Sequence, residues 1–224
     1  MLTAGQYRAL LEGAQVTLQV TALAVVWGTL VAVAFGVASL SPVAPLRWAV
    51  RVYVEVFRGV SAIILIFWVY YALPLIGVDL TALQAGVLAL GLNLSAYGTE
   101  IVRGAVQAVP RGQSEAAIAI NLSGRDRLWS VVLPQAVITM LPPYGSLLIE
   151  VMKASALVSL ISLSDIVREA QNMRQLRAAD SVDIFTAVLV LYFAISLGIT
   201  GIVRLLERRF ARGIDLSRMG GTAK

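Results

Sequence analysis

The chain contains no histidine and no cysteine. That removes His-based triads, thiol nucleophiles, disulfide frameworks, and zinc, haem or iron–sulfur centres with their usual ligands. Only carboxylates, Lys and hydroxyls remain as reactive groups. Charge is scarce as well: Asp, Glu, Lys and Arg make up 14% of the 224 residues, against about 25% in soluble domains. What replaces them is apolar. Hydrophobic residues reach 58% and the mean hydropathy is +0.82, which leaves too little polar surface to coat a water-soluble globule of this size. The composition is that of a membrane protein.

A membrane-crossing helix needs about 20 largely apolar residues, because it rises about 1.5 Å per residue through about 30 Å of hydrocarbon. Uncharged stretches at residues 13–46, 59–78, 80–99, 128–149 and 184–203 meet that length. They predict an all-α membrane domain over residues 1–224, with five transmembrane helices at about 14–40, 59–78, 82–106, 142–161 and 184–206. The fourth span is set at 142 because Pro142-Pro143 breaks a helix interior but suits a first turn. On that placement residues 108–140 form a long loop region at the membrane surface. The first span is too long for a signal peptide, and Met1 to Glu12 lacks a basic leader, so no cleavage is expected.

The positive charges set an orientation. With the N-terminus outside, Arg47, Arg51, Arg58, Arg103, Arg111, Arg125, Arg127, Arg204, Arg208, Arg209, Arg212, Arg218 and Lys224 face the cytoplasm. Arg8, Arg168, Arg174 and Arg177 fall outside, and Lys153 stays in the membrane. This places the C-terminus in the cytoplasm, and the net charge of +5 is explained by span ends and anionic lipid, without nucleic acid. The outer loop at about 163–183 is mixed in sign. Trp48, Tyr53, Trp68, Tyr70 and Tyr71 sit where an aromatic belt is expected.

Residues 113–134, QSEAAIAINLSGRDRLWSVVLP, read as two short helices and a turn. Asn121 suits a left-handed stop to the first helix, and Ser123 can cap the second with Asp126 three residues on. Such a knob, with small Ala116 and Ala117 on it, is shaped to enter a groove.

This segment resembles the EAA loop of permease subunits of ATP-binding cassette importers. Glu115-Ala116-Ala117 and Leu133-Pro134 match the pattern, Val131 stands for its Ile, and Asn121 occupies its Gly position. The wider chain is similar to the polar amino acid uptake branch (histidine/glutamine/arginine type). Tyr53 to Gly59, Ala96-Tyr97 with Glu100 and Arg103-Gly104, Leu133 to Ala136, Leu141-Pro142-Pro143, and Lys153 with Ser155 and Leu157 carry that likeness. The string Glu150-Val151-Met152-Lys153-Ala154-Ser155-Ala156-Leu157 resembles permeases for ectoine and hydroxyectoine, which are zwitterionic compatible solutes. The resemblance implies a type I importer permease fold in the bacterial inner membrane, with a coupling loop at about 108–134. It also implies a second permease subunit, identical or paralogous, two cytoplasmic ATPase subunits and an extracytoplasmic solute-binding protein. The chain carries no phosphate-binding Gly-Lys-Ser/Thr loop, so it is expected to bind no cofactor and perform no catalysis, ATP being used by its partners.

Site residues follow from position and resemblance together. Glu115, Ala116, Ala117, Asn121 and Pro134 are the candidate ATPase-coupling set. Glu150 and Lys153, three residues apart on one helix face inside the membrane, either meet the charged groups of a solute, with Ser155 nearby, or neutralise each other. Glu55 with Arg58 and Glu100 with Arg103 form two Glu-x-x-Arg-Gly copies, expected to be structural ion pairs. Three rival readings stand beside this one. A secondary transporter would normally show repeated halves, a membrane hydrolase would need a nucleophile and base that Ser155 and Lys153 supply poorly, and a scaffold subunit needs no site.

Overall fold

The computed structural model describes residues 3–176 and 180–211, with only the backbone of Ala211. Arg177, Arg212, Arg218 and Lys224 therefore lie outside the described residues. The described chain is helical throughout: α1 (Ala4–Ala38), α2 (Ala44–Gly59), α3 (Ala62–Phe67), α4 (Ala82–Ala108), α5 (Arg111–Ala119), α6 (Gly124–Arg127), α7 (Leu133–Ala154), α8 (Ile166–Leu176) and α9 (Ser181–Ala211). Among the described residues, four helical runs are long and apolar enough to cross a membrane, and a fifth span exists if the bent pair α2 and α3 is taken together.

α4 is the axis. It packs against α1 along most of its length and also touches α2, α3 and α7. The α1–α4 contact is close because glycines line it: a Cβ on Gly28 would lie 2.8 Å from the Gly91 carbonyl, and one on Gly98 would lie 2.8 Å from the Ala32 methyl. The Trp27 indole lies over Gly91 and donates to the Val87 carbonyl at 3.0 Å. Small residues serve this purpose in membranes, where helix association comes from packing rather than from escape of apolar surface from water. Val20, Ala24, Ala89, Leu90 and Leu94 fill the main core with Ile66 and Val69 from α3 and its continuation and Leu147 and Val151 from α7.

Two spans differ from the sequence expectation. The second does not begin at residue 59; Gly59 to Ser61 is instead the break within it. α2 ends at Gly59 and the helical stretch Ala62–Ile76, which finishes in π and 3-10 turns, leaves at 100°. Arg47, Arg51, Glu55 and Arg58 hid α2 from a search for uncharged runs. Nor does the fourth span begin at Pro142. Helix is continuous from Leu133 through both prolines to Ala154, then tightens to a 3-10 stretch over Ser155–Ile161. The prolines leave the carbonyls of Ile138 and Thr139 without their in-helix donors. In an apolar surround, unwinding the segment would expose more backbone than it saved, so the helix persists.

A second, smaller core gathers Leu10 and Ala14 of α1, Ile166, Ala170 and Met173 of α8, and Ile184 of α9. Here α8 is pinned at its start. Asp165 is fully buried, its Oδ1 accepts from the Arg168 backbone N–H at 2.9 Å, and the Ile166 N–H donates to Thr17 Oγ1 at 3.4 Å. Among the described residues, Asp165 Oδ2 and the Tyr192 hydroxyl are enclosed with no hydrogen-bond partner. Burial, partly offset by the backbone donors and increased by Glu169, pushes the Asp165 carboxyl from 3.8 up to about 6. A raised carboxyl pKa means that the folded state holds the proton more tightly than the unfolded chain. Stability therefore falls as pH rises from 3.8 through about 6 and stays lower above that. Asp165→Asn keeps the capping acceptor and removes the ionisation. Its apparent melting temperature in detergent should exceed that of the parent at pH 8, by roughly 2–4 °C per kcal/mol recovered, and match it at low pH.

Candidate functional site

The break in the second span lies well inside the bundle. Asn93 is 11 residues into α4, about 16 Å from its start. It donates through Nδ2 to the Phe57 carbonyl at 3.4 Å, and the Tyr97 hydroxyl donates to the Arg58 carbonyl at 3.4 Å. Ending a helix inside an apolar region frees its last carbonyls; Asn93 and Tyr97 meet two of them, so the break is supported from α4. The Tyr53 hydroxyl and Ser95 Oγ, 2.5 Å apart, tie α2 to α4 one turn further down.

A cavity of about 350 Å³ opens at the break, lined by Arg58, Gly59, Ser61, Asn93, Tyr97 and Glu150 among others. A second, of about 340 Å³, shares Arg58, Tyr97 and Glu150 and adds Pro143, Ser146 and Glu100. The Arg58 guanidinium carbon sits 5.2 Å from the Tyr97 ring centroid, a cation–π contact worth about 0.5–2 kcal/mol. Neither Arg58 nor Glu150 belongs to an ion pair among the described residues. A charge at the centre of a span costs about 3 kcal/mol on insertion scales, and a polar cavity relieves that cost for both. The arrangement can hold a ligand that presents a carboxylate to Arg58 and a cationic group to Glu150.

The sequence-expected charge pairs separate. Glu100 and Arg103 do pair, at 2.5 and 3.1 Å. Glu55 and Arg58 do not, because Arg58 is drawn onto Tyr97. Glu150 and Lys153 share a helix face yet form no ion pair; Glu150 turns to the cavities, while Lys153 is exposed elsewhere on α7 and lines neither of them. Ser155 is corrected as a wall residue: it is fully buried, and its hydroxyl donates to the Met152 carbonyl at 2.7 Å. Sequence reasoning missed Asn93 and the meeting of Arg58 with Glu150. An Asn within an otherwise uncharged apolar span was the available signal for the first, whereas the second depends on the 100° bend, which no local pattern encodes.

At one end of the bundle α5 and α6 form the expected helix–turn–helix. Asn121 has φ 61°, its N–H donates to the Ile118 carbonyl at 2.9 Å, and the Leu122 N–H donates to that of Ala117 at 3.0 Å, the paired bonds of a left-handed helix stop. Ser123 Oγ accepts from the Asp126 N–H and donates to its carboxylate at 2.6 Å. Glu115, Ala116, Asn121 and Pro134 are exposed, as are Ile118, Ile120 and Trp129. Ala117 is different. It is buried at 3% exposure within its own chain, so it packs the knob internally and offers no surface. Ala117→Trp should loosen the knob and speed limited proteolysis within residues 111–132, whereas Ala116→Trp should leave the digestion pattern unchanged.

Comparison with known proteins places this geometry. Residues 24–212 match the family described as the inner membrane component of binding-protein-dependent transport systems, and the chain belongs to that family. It is 43% identical over 207 residues to a probable amino-acid ABC transporter permease, y4tF, of Sinorhizobium fredii, covering 90% of this chain and 87% of that one. Over 204 residues it is 33% identical to the glutamine transport system permease GlnP of Escherichia coli, covering 89% and 92%. The crystal structure of an amino acid ABC transporter with histidines superposes with a TM-score of 0.83 at 32% identity, over 91% of this chain and 94% of that one. The protein is thus a multi-pass permease subunit of an ABC importer of the amino acid type; the nucleotide-hydrolysing role belongs to a separate subunit. That membership sets aside the secondary-transporter, hydrolase and scaffold readings.

Proposed function

We propose that this chain forms half of the translocation pathway for a small zwitterion, seated at the break in the second span. One observation carries the reading: opposite charges from two different helices, Arg58 of α2 and Glu150 of α7, line the same cavities with no ion pair to quench them. An α-amino acid supplies the complement, with its carboxylate on Arg58 and its ammonium on Glu150. A cyclic amidinium zwitterion such as ectoine supplies the same two charges and is the alternative solute. The glutamine permease and the histidine-bound transporter among the similar proteins support an amino acid as the first solute to try.

The remaining parts follow from the charge bias and the knob. With the N-terminus outside and the C-terminus in the cytoplasm, α5 and α6 face the cytoplasm. Glu115, Ala116 and the exposed Ile118, Ile120 and Trp129 then offer a mixed polar and apolar surface of the kind that protein partners cover. Two ATPase subunits grip this knob on paired permeases, and a binding protein delivers solute from outside. ATP is bound and spent in those partners.

The importer, reconstituted in proteoliposomes with its ATPase and binding protein, tests this with labelled L-glutamine, L-glutamate, L-arginine and ectoine. For whichever solute the parent imports, Glu150→Gln or Arg58→Ala should lower uptake about 10–100-fold, since a hydrogen bond to a charged group contributes about 1.5–3 kcal/mol. ATPase should still co-purify with both variants. Parental uptake by both would overturn the seat. Ala116→Trp should reverse the pattern: the permease inserts, but ATPase is lost on purification.

A further inference from the structure

Beyond the two cavities at the break, a third and larger one of about 630 Å³ lies between the first half of α2 and the last turns of α4, at the end that carries α5 and α6. It adjoins the second cavity through Glu100, which lines both. Its charged lining is Arg47, Arg51, Glu55, Glu100 and Arg103, with Trp48 as an apolar wall.

Most of these charges are already engaged. Glu100 is held by Arg103, and Arg47 Nη1 donates to the Ser41 and Pro42 carbonyls at 2.8 and 2.7 Å. Arg51 and Glu55 remain. They lie one turn apart on α2, both exposed, and form no ion pair with each other. The order, with the cation N-terminal to the anion, is the weaker one for pairing at i,i+4, which keeps both heads available. The cavity volume is within the roughly 300–1,000 Å³ of small-molecule sites.

We propose that this cavity is a second solute station, in which Arg51 takes the carboxylate and Glu55 the ammonium of an amino acid that has left the seat at Arg58 and Glu150. It rests on the seat reading for its ligand class. A simple anion suits it less, because a phosphate bridging Arg47 and Arg51 would face the Glu55 carboxylate. The solute would pass between stations that each offer one free charge of either sign, so neither end of the zwitterion crosses the apolar interior unpaired.

Saturation binding of tritiated L-glutamine, L-glutamate and L-arginine to the ATPase-bound importer in nanodiscs, without binding protein, tests both stations at once. For the amino acid that the parent binds, two molecules per permease chain are expected. Arg51→Ala and Glu55→Gln should each reduce this to one, Glu150→Gln should reduce it to one, and the combination of Glu55→Gln with Glu150→Gln should abolish binding. Arg51→Lys should retain two, and co-purified ATPase reports that each variant is folded. One molecule per chain in the parent, or no loss in Arg51→Ala and Glu55→Gln, overturns the second station and leaves the seat standing. No loss in Glu150→Gln, with loss in the other two, overturns the seat instead. Displacement of the amino acid from the second station by equimolar inorganic phosphate would show an anion site and would overturn the proposal as well.

Discussion

The close approach of α1 to α4 is the contact on which the rest of the molecule depends. It exists because Gly28, Gly91 and Gly98 let two backbones and an indole occupy space that a Cβ would fill. In lipid no gain from leaving water brings helices together, so such contact must be won by fit and dispersion. With α4 fixed on α1, its other faces become mounting points. Ser95 holds Tyr53, Asn93 and Tyr97 hold the last carbonyls of α2, and Gly98 leaves room for Tyr144 of α7, whose hydroxyl donates to Thr29 of α1 at 2.8 Å. The opposed charges on α2 and α7 are neighbours only because both helices are registered against this one rod.

Charge in the interior is arranged by degree of engagement. Glu100 and Arg103 quench each other, Arg47 spends its donors on backbone carbonyls, and Asp165 is buried with one oxygen on a helix start. Arg58, Glu150, Arg51 and Glu55 belong to no ion pair among the described residues and line cavities, whereas Lys153, also outside those pairs, lines none of the three. An uncompensated charge in a membrane is costly, so charges that are both unpaired and cavity-lining are the ones on which the proposed solute contacts rest. Sequence spacing could not make that distinction, because Glu55 with Arg58 and Glu100 with Arg103 are the same motif in identical spacing, and only one closes.

Three of the five spans, the first, third and fifth, lie where the sequence put them, because a run of uncharged residues is a direct readout of hydrocarbon thickness. The knob was visible down to its cap and its left-handed Asn121, because turn chemistry is local. The misses have one cause in common, which is tertiary context. The arginines on α2 line cavities, and their charges made the helix look too polar to enter the membrane. The pair Pro142-Pro143 continues a helix because the surround offers no water to an unwound chain. Ala117 was expected to face a partner and Ser155 the solute path, and both are buried within the chain, since burial is decided by which neighbours arrive.

The run from Gly124 to Ile161 is helical without interruption, passing from the knob through a π turn at Leu128–Val132 into α7 and on to the 3-10 stretch. Glu150 is 26 residues beyond Gly124 on this single shaft, about 39 Å at helical rise. Between them the regular hydrogen-bond ladder is interrupted twice, by the π turn at Leu128–Val132 and by Pro142-Pro143. The capped knob and the acid at the break are thus joined by one continuous stretch of helical backbone, with no loop between them.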